Sequence, residues 1–81
     1  TMRQPIIQIA SVSSNPSGLL ALTSEGQVWI WYDNGGPWFE LTGAPVPFNS
    51  IAGTPNGQIF ASDASGQLWR FYGGWQAMVS P

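Results

Sequence analysis

The chain has 81 residues and a formal net charge of −2, and only 7% of its residues are charged. Two arginines, no lysine and no cysteine exclude a basic nucleic-acid surface, a polybasic membrane contact, disulfides and thiolate metal sites. No apolar run approaches the ~20 residues of a membrane span, so we do not expect membrane insertion. Because basic residues are so few, we do not expect nucleic acid as a partner either. These features fit a soluble protein, either secreted or cytoplasmic, whose charge-poor surface is partly buried in an assembly.

The sequence contains an internal repeat with a period of ~40 residues. Segment 21–32 is echoed by segment 61–72, with Ala, Gly, Gln, Trp and Tyr at the same offsets. A period of this length fits one four-stranded β-propeller blade. We therefore predict an all-β chain of two four-stranded antiparallel propeller blades, without helix because no window has a sustained 3.6-residue period.

The predicted strands lie between turns rich in Gly, Pro, Asn and Ser. Residues 1–81 form a single unit, in which blade 1 covers about 6–42, a Pro-rich link covers 43–47 and blade 2 covers 48–79. The first hairpin is predicted to turn at 15–18. The predicted strands, in chain order, are 6–12, 19–23, 27–32, 38–42, 48–53, 58–62, 67–72 and 75–79.

Two blades cannot close a ring by themselves. Both alternating residue sets of strand 27–32 are largely apolar, which indicates a strand covered on both faces. Because propellers have 4 to 8 blades, a homodimer, homotrimer or homotetramer of the chain would complete one. We favour the trimer with six blades.

A more specific pattern begins at Trp38. Its elements are Trp38, Gly43, Ile51-Ala52-Gly53, 56–61, 65–70 and Gly74-Trp75. This pattern resembles the tectonin repeat, the blade unit of a family of β-propeller proteins that includes lectins. The resemblance implies a propeller and the recognition of glycans, for which bacterial-surface or methylated sugars are candidates. Leu20 and Phe60 stand where a tectonin repeat often has Trp.

Residues suited to catalysis are scarce. The chain has no His, Cys or Lys, which removes most general bases, metal ligands and covalent amines. The four carboxylates are interpreted as solvated turn or edge residues: Glu25, Asp33, Glu40 and Asp63. We predict no enzyme activity, no catalytic residue, no metal and no cofactor.

Residues suited to carbohydrate binding are abundant, since a sugar stacks on a flat aromatic ring and takes hydrogen bonds at its rim. Trp29 and Trp69 are assigned to packing between blades. The candidate glycan-binding residues are Trp38, Trp75, Tyr32, Tyr72, Asn34 and Arg70. The function predicted first is a lectin-like oligomeric propeller with weak multivalent sites. The alternatives are a non-catalytic structural or protein-interaction module, and a fragment of a longer propeller.

Overall fold

The computed structural model describes residues 5–13 and 17–79, which form two four-stranded antiparallel sheets and no helix. In each sheet the strands follow one another in chain order. The first sheet contains β1 (Ile6–Val12), β2 (Gly18–Thr23), β3 (Val28–Tyr32) and β4 (Phe39–Glu40). The second contains β5 (Phe48–Gly53), β6 (Ile59–Asp63), β7 (Leu68–Phe71) and β8 (Trp75–Ala77). This confirms the prediction of an all-β chain with two four-stranded antiparallel sheets; residues 15 and 16 of the predicted turn at 15–18 lie outside the described residues.

The last strand of each sheet is shorter than predicted. Strand β4 covers Phe39–Glu40 instead of 38–42, and β8 covers Trp75–Ala77 instead of 75–79. One further backbone bond follows each strand, from Leu41 N to Val28 O and from Met78 N to Leu68 O, both at 2.9 Å. Beyond β4 the chain turns away at Gly43, whose φ of +85° lies in the left-handed region.

Three hairpin turns share one local structure, at residues 23–27, 54–58 and 63–67. Each begins with Thr or Asp and ends in Gly-Gln. The side-chain oxygen of the first residue accepts a hydrogen bond from the backbone N–H of the glutamine. The glycine has a φ of +84° or +88°, which a residue with a β-carbon rarely adopts. The glycines of these turns are recognisable in the sequence, whereas the role of the first Thr or Asp became visible only in the structure.

The two sheets pack face to face around one hydrophobic core. The sheets approach most closely along β1, β2 and β5. The aromatic side chains of β7 and β8 pack against the core farther out, so the pair of sheets opens as a wedge toward its outer strands. The buried core residues are Val12, Leu20, Leu22, Val28, Ile30, Phe48, Ile51, Ile59 and Ala61.

A polar clamp and a close approach join β1 to β5. The side chain of Gln8 donates from Nε2 to the carbonyl oxygen of Ile51 at 3.0 Å, and its Oε1 accepts from Ile51 N at 3.1 Å. Gln8 thereby satisfies backbone groups on the edge of β5. At Gly53, a β-carbon would overlap the backbone oxygen of Ser11 and lie 2.9 Å from Cβ of Val12. Only glycine allows the sheets to come this close.

We predict that Gly53→Ala lowers the free energy of unfolding by about 2 kcal/mol, because the added methyl group meets backbone that must move. Urea denaturation followed by circular dichroism measures this change. Gly36→Ala is the matched control, since a β-carbon there meets only the side-chain oxygen of Asn34. If Gly53→Ala were as stable as this control, the close approach of the two sheets would be wrong.

Candidate functional site

Each sheet has one face in the core and one face open. No third sheet or helix among residues 5–13 and 17–79 covers the open faces. The open face of the first sheet is called the N-face, and the open face of the second is called the C-face. Strand alternation places on the N-face Ile6, Ile9, Trp29, Trp31, Trp38 and Glu40. It places on the C-face Phe60, Leu68, Arg70 and Gln76, with Tyr72 just beyond β7.

The register makes the two sheets directly comparable. Trp29 pairs with Ala21 and Glu40 in the first sheet, and Trp69 pairs with Ala61 and Ala77 in the second. When residues are counted along the strands from these pairs, each residue of the N-face corresponds to a residue on the covered face of the second sheet. The C-face likewise occupies the positions of the covered face of the first sheet.

Equivalent positions differ sharply in burial. Ile6 is 52% exposed, whereas Phe48 at the same position of the second sheet is 3% exposed. Ile9 is 62% exposed and its counterpart Ile51 is 4% exposed. Since both faces carry large apolar side chains, the difference arises from the neighbour: the second sheet packs on the first, and nothing described packs on the N-face.

The two candidate tryptophans are such an equivalent pair. The indole N–H of Trp75 donates to the carbonyl oxygen of Leu41 at 3.0 Å, and its ring lies 4.6 Å from that of Phe48. Trp75 is therefore part of the packing between the sheets. Trp38, in the same position of the first sheet, lies on the N-face and is 43% exposed.

Arg70 and Tyr72 are brought together on the C-face. The guanidinium carbon of Arg70 lies 5.2 Å from the centre of the Tyr72 ring, a cation–π arrangement. Tyr72 is 71% exposed, more than any other described aromatic side chain. In the first sheet the equivalent positions hold Ile30, which is buried, and Tyr32, which is half-buried.

Tyr32 and Asn34 serve local structure. The ring of Tyr32 lies 6.5 Å from that of Phe39 and packs against the core. The Asn34 side chain accepts a hydrogen bond from Gly36 N at 3.0 Å within the turn after β3. The six candidate residues thus do not form one site: only Arg70 and Tyr72 share an open surface.

An open groove of about 280 Å³ lies beside the link between the sheets. Its lining comes from the β2–β3 turn (25–27) and from residues 40, 41 and 43–47. Glu25 and Glu40 are among its lining residues, and no aromatic residue lines it. The groove therefore lacks the flat apolar surface on which a sugar stacks.

Asp63 organises the turn at 63–67. Its carboxylate accepts hydrogen bonds from the hydroxyl and backbone N–H of Ser65, from Gln67 N, and from the indole N–H of Trp69 at 3.0 Å. These bonds, above all the one from the Ser65 hydroxyl, lower the pKa of Asp63 from 3.8 to about 2. Asp63 is therefore an ionised structural acceptor at neutral pH. Within the described residues, no three His, Cys, Asp or Glu side chains are grouped to hold a metal ion.

The lowered pKa of Asp63 predicts a specific loss of stability in acid. Because the folded-state pKa lies below the unfolded value, its contribution is present above about pH 4 and is lost as the pH falls toward about 2. We expect Asp63→Asn to lower the melting temperature at pH 7. The difference in melting temperature between wild type and variant should become smaller as the pH falls from 5 to 2. Asp33→Asn, in an exposed turn, is the control. A constant difference between wild type and Asp63→Asn across this range would show that the carboxylate is not held as described.

No protein-family model matches the chain, and no curated protein matches its sequence. The resemblance to the tectonin repeat therefore stays a prediction. The described residues include no helix long and apolar enough to cross a membrane. Two findings of the structure bear on function: two open sheet faces that carry apolar side chains, and an exposed tyrosine with an arginine over its ring.

Proposed function

We propose that this chain is a non-catalytic, carbohydrate-binding subunit of a β-propeller, in which two blades from each chain stack head to tail with blades of further copies. One observation carries the proposal. Ile9 on the N-face occupies the position of Ile51, which the first sheet covers, yet Ile9 is 62% exposed. The N-face is built for a contact that a single chain leaves unmade.

The wedge between the sheets supports a closed ring over an open stack. The sheets are closest along β1, β2 and β5 and farther apart at β4 and β8. Repeating one wedge-shaped junction turns each sheet in the same direction, which favours a ring when the rotation closes. With 4 to 8 blades in known propellers, two to four chains complete the ring, and three chains give six blades.

Tyr72, just beyond the end of β7 at the margin of the C-face, is the centre of the proposed glycan site. Arg70 lies over its ring, which leaves the opposite face of the ring for the C–H face of a pyranose. The phenol hydroxyl provides a hydrogen-bonding group for sugar hydroxyls. One shallow site in each chain binds weakly, and several sites around a ring raise the avidity by about 10² to 10⁴.

The acidic residue best placed for chemistry has another role. Asp63 accepts hydrogen bonds from Ser65, Gln67 and Trp69, and its lowered pKa makes it a poor proton donor near pH 7. Asp63 therefore supports the turn at 63–67, in agreement with a binding function without catalysis.

A glycan array probed with the intact purified protein tests the carbohydrate proposal, with bacterial-surface and methylated sugars included. For a sugar found on the array, titration calorimetry should show that Tyr72→Ala weakens binding at least about tenfold, since the stacking surface is lost. Tyr72→Phe keeps the ring and should stay within about threefold of the wild type. Trp75→Ala is unsuitable as a test, because Trp75 packs between the sheets.

An array without bound sugars, obtained with an intact assembly, would contradict the carbohydrate part of the proposal. The ring would then be a structural or protein-interaction module. Equal sugar binding by the wild type and Tyr72→Ala would instead move the glycan site to another residue.

A further inference from the structure

We infer that the N-face of one copy binds the C-face of a second copy, and that Arg70 of one chain pairs with Glu40 of the next to set the direction of this contact. This inference rests on the proposed propeller and identifies the partner of its open faces. The packing of the two sheets within one chain is the template for the contact.

The template shows where an aromatic side chain of one sheet meets the outer strands of the other. In the chain, Trp75 of the second sheet reaches the carbonyl oxygen of Leu41 on the first sheet. Leu41 follows β4, whose Phe39 pairs with Ile30. Transferred to two copies, Trp38 of one copy reaches the backbone oxygen of Met78 in the other. Arg70, the counterpart of Ile30, lies on the C-face of that other copy.

A carboxylate lies on the face that would meet the C-face. Glu40 lies two residues after Trp38, and in an extended segment this spacing places both side chains on the N-face. The counterparts of Arg70 and Glu40 within the chain are both uncharged: they are Ile30, which is buried, and Ala77, which is exposed on the last strand of its sheet. The N-face and the C-face, which would meet only between copies, therefore carry opposite charges.

These charges distinguish the possible arrangements of two copies. An isologous contact of two N-faces would bring Glu40 near Glu40, and a contact of two C-faces would bring Arg70 near Arg70. Like charges facing each other in a desolvated interface are unfavourable. The head-to-tail contact pairs Arg70 with Glu40, so it is favoured over both symmetric contacts.

Contacts between the inner strands are weaker between two copies than between the two sheets of one chain. The position of Gln8 is taken by Ser50 in the second sheet, and the position of Gly53 is taken by Ser11 in the first. The contact between copies thus lacks both the amide clamp and the glycine that permits close approach. Its specificity comes from the outer strands, where Arg70 and Glu40 lie.

A charge-swap experiment on the full chain tests this inference. Sedimentation velocity over a concentration series gives the association constant of the wild type, Glu40→Arg, Arg70→Glu and the double variant. We expect each single variant to associate at least about tenfold more weakly and the double variant to return to within about threefold of the wild type. Only a head-to-tail contact is restored by the double exchange, because symmetric contacts would still face like charges.

Circular dichroism and thermal unfolding confirm that each variant is folded. Glu40→Gln and Arg70→Gln remove the charges with little change in size, and each should weaken association with less disturbance if a reversed charge unfolds the chain. A wild type that associates while every charge variant matches it would overturn the ion pair and leave the propeller intact. Weakening by both single variants without recovery in the double variant would also overturn the pairing. A monomeric wild type would overturn the assembly itself.

Discussion

The packing of one apolar sheet face on another is the interaction on which this structure depends. Each sheet carries apolar side chains on both faces, and a chain with two sheets covers only one face of each. Ile51 and Phe48 are buried by this packing, while their counterparts Ile9 and Ile6 stay exposed. Exposed apolar patches of this kind mark interaction surfaces in soluble proteins. The fold of the chain therefore leaves one apolar face of each sheet open, and the proposed association would cover it.

The contact within the chain also explains the shape of the whole. Gln8 and Gly53 draw β1 and β5 together, and the aromatic rings of β7 and β8 pack farther out. A wedge follows from small groups on the inside and large groups on the outside. Tyr72, the centre of the proposed glycan site, lies just beyond the end of β7 and at the margin of the C-face.

Much of the fold could be predicted from the sequence. Alternation and turn residues located β1 and β5 with their observed bounds, and the repeat predicted two sheets of the same kind. The candidate site was harder, because exposure depends on which sheet packs where. Trp38 and Trp75 follow similar glycine-containing loops, so local sequence could not tell that only Trp75 lies between sheets. Arg70 was visible as a replacement of Ile30, and its position over Tyr72 required the side-chain geometry. The sequence predicts that Glu40 is solvated, and only the β3–β4 register places it on the N-face.

Native mass spectrometry of the purified chain at micromolar concentration tests the central claim most directly, since it counts the chains in the assembly. The account predicts a single closed species of two to four copies, with three copies expected, and little monomer. A stable monomer across the concentration range would contradict it, because the N-face and the C-face would then be stable in water without each other.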